Sequence, residues 1–217
     1  MHKGQQSIFF SWKAVVNQYK RSYRFAKFLY GLAPNSIKRD YDLICQISAQ
    51  LDGVGFSQTI VNALIVAEDH RFYKHPGFDL IAIARAIWSI LVRRRIQGAS
   101  TIEQQFVRKI TGRYELTIIR RVREIYLAIM LSFTYKKEVI ARHYLSVAYF
   151  GWQMNGLREA SKRLSFNPEF PSQEDAAKII ARLRYPEPEV SSDLRKAQIW
   201  DRTEYILAKM GKRSNGT

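Results

Sequence analysis

Residues 60–79 read IVNALIVAEDHRFYKHPGFD, an apolar segment that runs directly into a dense polar cluster. Two adjacent carboxylates, Glu68 and Asp69, follow the apolar residues, and two histidines and two cations come next among aromatic rings. A carboxylate in apolar surroundings is a candidate proton acceptor near neutral pH, because burial disfavours its charged form. The pattern indicates an enzyme with Glu68 as a general base. The alternative is a helix-end ion pair with Arg71 or Lys74.

The histidines of this stretch invite a metal interpretation together with Asp69 or Asp79. Their spacing matches no zinc signature, and the sequence offers no second pair of ligands. We therefore expect His75 to be a hydrogen-bonded structural residue ahead of the turn at Pro76 and Gly77.

A second polar cluster, GASTIEQQ, occupies residues 98–105. Ser100 with Glu103 three residues later predicts a capping box, and the free N–H groups of a helix start form an anion site. Gln104 and Gln105 carry amides that suit sugar hydroxyls. The alternative is simply a well-capped helix.

A third cluster, RRVRE, occupies residues 120–124. Arginine matches phosphate oxygens bidentately. A carboxylate among these cations, Glu124, is placed to orient them or to hold a divalent ion beside a pyrophosphate. The alternative is an ion pair between Arg120 and Glu124 on one helix face, worth about 0.3 kcal/mol.

Composition bounds the possible functions. The chain has 217 residues, of which 47% are apolar and 13% aromatic, and this excludes a disordered chain. Its single cysteine, Cys45, excludes an intrachain disulfide. A net charge of +16 predicts an anionic partner: nucleic acid, a membrane surface or a phosphorylated substrate. The excess of positive charge is concentrated between residues 85 and 124, a segment with ten Arg or Lys and three Glu.

The N-terminal segment, residues 1–35, is basic and aromatic. It contains no run of about 18 apolar residues that would cross a membrane, and no small-residue cleavage site of a signal peptide. Its residues 7–30 mix eight aromatic side chains with five cations. This composition suits a helix lying in a membrane interface, and equally a helix packed on its own domain.

Apolar spacing near 3.6 residues recurs almost throughout, which predicts a single, mainly α-helical domain. Ser57 and Asp79 are expected to start helices, and Gly112 to end one. We predict helices over residues 8–30, 36–51, 57–69, 79–95, 100–111, 115–133, 136–149, 155–164, 172–184 and 192–210.

The order of the clusters is more informative than any one of them. Glu-Asp-x-x-Phe-x-x-His-x-Gly-x-Asp (68–79), Gly-x-Ser-Thr-x-x-Gln-Gln (98–105), the basic block ending in Glu124, and KEVIARHYLSVAYFG (137–151) together resemble the family 51 glycosyltransferases, the peptidoglycan glycosyltransferases. The resemblance covers residues 57–165, and residues 174–177 look like a later Glu-Ala-Ala helix of the family. Since no transpeptidase domain follows, the match is to the monofunctional form.

The resemblance implies a lysozyme-like, mainly α fold with a large lobe and a smaller membrane-facing lobe, and assigns residues 36–217 to the glycosyltransferase domain. It implies inverting polymerisation of lipid II with release of undecaprenyl pyrophosphate, at the outer face of the cytoplasmic membrane. The implied partners are lipid II, the growing glycan chain, an anionic membrane surface and cell-wall synthesis proteins, but not nucleic acid.

The resemblance also assigns roles. Glu68 would take the proton from the 4-hydroxyl of the acceptor GlcNAc, and Glu124 would be the second essential glutamate. No tightly bound cofactor is implied, although a divalent cation, Mg or Mn, would suit the pyrophosphate with Glu124 as its candidate ligand. The implied substrate-binding residues are Asp69, His75, Ser100, Thr101, Gln104, Gln105, Arg108, Arg120, Arg121 and Arg123.

Five positions depart from the family pattern: Glu103 stands where Thr is common, Arg108 and Arg121 where Lys is usual, and Lys109 and Ser146 where Asn is usual. Arginine keeps the charge of lysine but changes its shape, so these departures bear on rate and substrate. The alternatives are a non-catalytic or substrate-divergent relative that binds lipid-linked glycan, and a lysozyme-type hydrolase. A basic nucleic-acid binder would explain the charge but not the polar clusters.

Overall fold

The computed structural model describes residues 22–53, 55–93 and 98–214. Within these ranges the chain forms helices and no strand, apart from isolated bridges that join Tyr149 to Asn155 and Gly151 to Glu187. The mainly α fold class is confirmed. The helices are α1 (22–32), α2 (Asn35–Leu51), α3 (Gln58–Glu68), α4 (Leu80–Arg93), α5 (Ile102–Thr111), α6 (Ile118–Thr134), α7 (Lys137–Val147), α8 (Leu157–Arg163), α9 (Gln173–Arg184) and α10 (Asp193–Ser214), with a 3₁₀ turn at Phe72–Lys74.

Each predicted helix from 36–51 onward has a counterpart in the described ranges, with its ends shifted by a few residues. Two of the predicted start signals are confirmed. The hydroxyl of Ser57 accepts a hydrogen bond from the N–H of Thr59 at 3.2 Å. Asp79 accepts bonds from the N–H groups of Ile81 and Ala82, at 2.9 and 3.1 Å. These side chains satisfy donors that the first turn of a helix leaves free.

The capping box of α5 lies one residue later than predicted. Thr101, not Ser100, accepts the N–H of Gln104, and the side chain of Gln104 accepts the N–H of Thr101 in return. The prediction was wrong because a tertiary contact sets the register: the Thr101 hydroxyl also donates to the carbonyl of Gly77 at 2.8 Å. The one-residue shift buries Glu103 completely.

Helix α3 lies at the centre of the fold, where it contacts α7, α9 and α10. Ile60, Leu64 and Ile65 are fully buried, and so is Phe72 just beyond the end of the helix. Each such side chain contributes about 1.5–3 kcal/mol through its burial. The apolar run of the sequence therefore becomes a fixed helix whose last residue is Glu68.

The turn after this helix packs directly on the backbone of α6. Gly77 has a φ of +94°, and a β-carbon there would lie 2.3 Å from the carbonyl oxygen of Ala128. Only glycine combines this backbone conformation with so close an approach. The polar segment 68–79 is thus pressed against α6 at its middle.

Helix α1 is the described part of the N-terminal segment, and it packs on α6. The rings of Phe25 and Phe133 lie 4.8 Å apart, and the hydroxyl of Tyr126 donates to the carbonyl of Leu29 at 2.7 Å. Phe28 remains exposed. Residues 1–21 lie outside the described residues, as does most of the predicted helix over 8–30, so the boundary between residues 35 and 36 stays a prediction.

Among the described residues, every helix is too short or too polar to cross a bilayer.

Candidate active site

Glu68 is half-buried at the end of α3, where donors from two other helices hold its carboxylate. One oxygen accepts from the amide nitrogen of Gln105 on α5 at 3.2 Å. The other accepts from the guanidinium of Arg202 on α10 at 3.3 Å. The packing of three helices therefore fixes this carboxylate in one orientation.

Gln105 is itself oriented by a buried tyrosine. The hydroxyl of Tyr144, on α7, donates to the side-chain oxygen of Gln105 at 2.6 Å. Burial raises the pKa of Tyr144, so the phenol stays protonated and remains a donor at neutral pH. Because the side-chain oxygen of Gln105 accepts the bond from Tyr144, the NH₂ group of Gln105 faces Glu68.

The residues beside Glu68 brace the segment from within. Asp69 and His75 are buried and bond to each other at 3.0 Å, as expected for a structural His75. Asp69 also accepts the N–H of Ile102 at 3.2 Å, and Thr101 bonds to Gly77. The structure thus brings Asp69, His75 and Thr101 together as a clamp between segment 68–79 and the start of α5. Gln104, in the capping box, belongs to the same clamp; substrate binding by these four residues stays a prediction.

Asp79 closes the far end of the segment with an ion pair to Arg71 at 2.9 Å. Burial by itself raises the pKa of Asp79, but the N–H groups of Ala82 and Ile81 together with the Arg71 guanidinium outweigh it and hold the pKa below its usual value. Asp79 is therefore a charged structural anchor that caps α4.

A cleft of about 720 Å³ opens beside Glu68. Its floor includes Ser100 and Thr101 at the start of α5, and its walls carry cations: Lys74, Arg85, Lys209 and Lys212. The two aspartates that border it, Asp69 and Asp79, are already paired with His75 and Arg71. The half-buried Glu68 thus faces a cavity of positive character that is large enough for sugar rings.

One wall of this cleft comes from α10, a helix in which no site residue was predicted. Arg202, Tyr205, Lys209 and Lys212 follow one another at spacings of three, four and three residues, which places them on one helix face. Tyr205 is flanked by the charges of Arg202 and Lys209, at 4.9 and 5.7 Å from its ring centroid. The spacing of these residues is visible in the sequence. That α10 lies next to Glu68 is not, because Arg202 and Glu68 are 134 residues apart.

The predicted arginine cluster surrounds Glu124. Arg108 bonds to one carboxylate oxygen at 2.6 Å, and Arg120 pairs with the other. Arg108 also donates to Ser100 at 3.3 Å, so it links this cluster to the floor of the cleft. The cavity at Glu124 measures only about 10 Å³, because the side chains close on one another. The predicted Arg120–Glu124 pair is present, but it is buried and shared with a third residue.

The two remaining arginines of the cluster point elsewhere. Arg123 bonds to Asp40 at 2.7 Å and to Ser36, which ties α6 to α2. Arg113 joins the same carboxylate at 3.2 Å. Arg121 is exposed on the surface of α6. Substrate binding by Arg121 and Arg123 stays a prediction.

Neither group of carboxylates fits a metal ion as it stands. Ligand atoms of Asp69, His75 and Glu103 lie within 4.8 Å of one another. However, the Nδ1 atom of His75 accepts the N–H of Gly77, so its Nε2 carries the proton that it donates to Asp69. Glu103 is bound by the ammonium of Lys137, and both oxygens of Glu124 are bound by arginines. A divalent cation at Glu124 stays a prediction.

Besides Arg108, which binds Glu124 and Ser100, three of the residues that depart from the family pattern make contacts within the protein. Glu103 accepts from Lys137 and from the hydroxyl of Ser132 at 3.2 Å. The ammonium of Lys109 lies 5.8 Å from the ring centroid of Tyr149. Ser146 donates to the carbonyl one turn earlier in α7, at 2.9 Å. None of these three contacts involves the Glu68 carboxylate.

Comparison with known proteins agrees with this architecture. The family model described as Transglycosylase matches residues 47–211. Penicillin-binding protein 1A of Rickettsia felis is 35% identical over 159 residues, which cover 70% of this chain and 20% of the relative. Penicillin-binding protein 1F of Bacillus subtilis is 37% identical over 108 residues, 49% of this chain and 15% of the relative. Penicillin-binding protein 1B of Vibrio cholerae is 37% identical over 97 residues, 44% of this chain and 12% of the relative.

The chain spans about a fifth of the length of the Rickettsia relative. The family model nevertheless covers most of the described residues, including α3, α5, α6 and α10 as far as residue 211. With Glu68 and Glu124 each bound by a side chain of α5 and a family match over this extent, the chain belongs to the transglycosylase family.

Proposed function

We propose that the chain is a peptidoglycan glycosyltransferase that extends glycan strands from lipid II, a disaccharide-peptide carried on undecaprenyl pyrophosphate. The observation that carries this proposal is the placement of Glu68: its carboxylate is held by Gln105 and Arg202 at the edge of a sugar-sized cleft. The order of motifs in the sequence and the family match support the same chemistry.

Glu68 acts as the general base. It takes the proton from the 4-hydroxyl of the acceptor GlcNAc, and the freed oxygen attacks the anomeric carbon of the donor MurNAc. The bond from that carbon to the pyrophosphate breaks as the new glycosidic bond forms. Because attack and departure occur on opposite faces of the carbon, the configuration inverts, and the leaving pyrophosphate takes the electron pair.

Arg108 and Arg120 stabilise the leaving group. Negative charge grows on the pyrophosphate in the transition state, and preformed cations act most strongly there. Arg108 is the more accessible of the two, with 27% of its side chain exposed, and it already spans from Ser100 to Glu124. Glu124 holds both guanidiniums in position until phosphate oxygens compete for them.

Gln105 and Arg108 bring the proposed base close to the cations that stabilise the leaving group. They are three residues apart on α5, and such residues are neighbours on a helix face, about 5–6 Å apart between β-carbons. Gln105 reaches Glu68, and Arg108 reaches Glu124. The acceptor hydroxyl and the departing pyrophosphate then lie next to each other along one face of α5, as a displacement at a single carbon requires.

The lipid of the substrate places the enzyme at a membrane. Leu116, Ile118, Ile119 and Val122, just before and in the first turns of α6, are all exposed, and α1, which packs on α6, exposes Phe25 and Phe28. Exposed apolar residues combined with a charge of +16 suit an anionic bilayer surface. We propose that this face is the membrane-facing lobe and that it rests on the outer face of the cytoplasmic membrane.

Polymerisation of labelled lipid II by purified protein tests the proposal. The unmodified chain should lengthen glycan strands, whereas Glu68→Gln, which keeps the size of the side chain but removes the base, should lower the rate by at least about 100-fold. Glu159→Gln, in an exposed ion pair with Lys162, is the matched control and should retain full activity.

The products distinguish the alternatives. Shortening of preformed glycan would show a lysozyme-type hydrolase, and binding of lipid II without turnover would show a non-catalytic relative. Substantial polymerisation by Glu68→Gln would refute the assigned base.

A further inference from the structure

Arg202 makes two contacts at the end of α3 with one nitrogen. The Nη2 atom donates to the carbonyl of Ala67 at 2.7 Å and to the carboxylate of Glu68 at 3.3 Å. The Ala67 carbonyl belongs to the last turn of α3, where carbonyl oxygens have no partner within the helix. The guanidinium therefore binds the backbone and the side chain of the catalytic segment at once.

The guanidinium also packs on a ring of its own helix. Its carbon lies 4.9 Å from the ring centroid of Tyr205, and 21% of the side chain is exposed. The Nε atom is buried without a hydrogen-bond partner among the described residues. A buried donor without a partner loses its hydrogen bonds to water and gains none in return, which costs stability. Stability alone is thus a poor explanation for an arginine at this place.

We propose that Arg202 is a positioning residue for Glu68, which rests on the base role proposed above. Gln105 holds one carboxylate oxygen from α5, and Arg202 holds the other from α10. Two donors on opposite oxygens fix the rotation of the carboxylate, so the lone pair that takes the proton points into the cleft. Gln105 alone would leave the group free to turn about that single bond.

Loss of Arg202 should lower kcat and leave the substrate KM nearly unchanged, because Arg202 acts through Glu68. We expect Arg202→Gln to lower kcat about 10- to 100-fold, as for a small displacement of a catalytic group, with KM within about twofold. Arg202→Lys, which can still bond to Ala67 and Glu68, should recover part of the loss. Lys196→Gln, which removes one positive charge from an exposed position on the same helix, should change neither constant.

A double variant separates positioning from general damage. In the Glu68→Gln background, Arg202→Gln should cause no further loss of rate, since residues that act as a unit are not additive. Equal effects in both backgrounds, or a fall that only follows the amount of folded protein, would overturn the proposal.

A second cycle does not depend on turnover. The free energy of unfolding of the two single variants and the double variant should show a coupling of Arg202 to Glu68, and its absence would likewise overturn the proposal. An unmodified chain without polymerising activity would instead refute the proposed function. The stability cycle would still show whether Arg202 and Glu68 interact.

Discussion

Glu68 obtains its surroundings from residues that are remote in sequence. Gln105 comes 37 residues later and Arg202 comes 134 residues later, yet both reach the same carboxylate. Tyr144 joins them only through Gln105. The proposed base role of Glu68 therefore depends on three further helices, α5, α7 and α10, that dock around the end of α3.

Removal of the Tyr144 hydroxyl should show how far Glu68 depends on the orientation of Gln105. Tyr144→Phe deletes the donor that fixes the amide of Gln105, so the amide is free to turn its oxygen toward Glu68. We expect kcat for lipid II polymerisation to fall about tenfold, the effect of roughly 1.4 kcal/mol in the transition state. Tyr126→Phe removes a comparable hydrogen bond between α6 and α1, at 2.7 Å, and is the control. Equal activity of the two variants would exclude the role of Tyr144.

At the scale of elements, periodicity and caps were enough to predict the helices from α2 to α10. Three features of the site were beyond local signals. The contact of Thr101 with Gly77 set the register of α5, the pairing of Arg123 with Asp40 turned that arginine toward α2, and α10 became a wall of the cleft. Each depends on which helices become neighbours, and a single sequence carries no local signal for that.

The turn at Gly77 is the element on which the clamp depends. Gly77→Ala would force a β-carbon to within 2.3 Å of the Ala128 carbonyl, at a φ of +94°. The turn would have to move, and the bonds from His75 and Thr101 would move with it. We expect the free energy of unfolding to fall by about 3 kcal/mol or more, measured by chemical denaturation.

Gly31→Ala is the matched control for that change. Nothing lies within 4 Å of a β-carbon at Gly31, which sits in helix α1. Its stability should stay the same or rise by up to about 1 kcal/mol, because alanine favours the helix. A loss at Gly77 no larger than at Gly31 would contradict the close packing of the turn on α6.

At the scale of the whole molecule, the cleft and the exposed apolar surface suit different parts of the proposed substrate, its sugars and its lipid. The cleft at Glu68 is polar and basic, while α1 and the start of α6 expose apolar side chains, as α4 does with Leu80, Ile81, Trp88 and Val92. Arg108 and Arg120, the proposed partners of the pyrophosphate, lie where α5 meets α6. A substrate whose sugars are polar and whose carrier is a lipid must present its pyrophosphate between these two environments, and α6 joins them.

That arrangement predicts which residues bind a bilayer. Ile118 and Ile119 are 81% and 82% exposed, so replacing both with serine should leave the fold intact. Binding to vesicles of phosphatidylcholine and phosphatidylglycerol, measured by sedimentation, should weaken about tenfold through loss of apolar burial. Raised salt should weaken both proteins further, because it screens the attraction of the +16 chain to anionic lipid. Val190→Ser removes an equally exposed apolar residue between α9 and α10 and should bind normally; equal loss in the two variants would mean that α6 does not face the membrane.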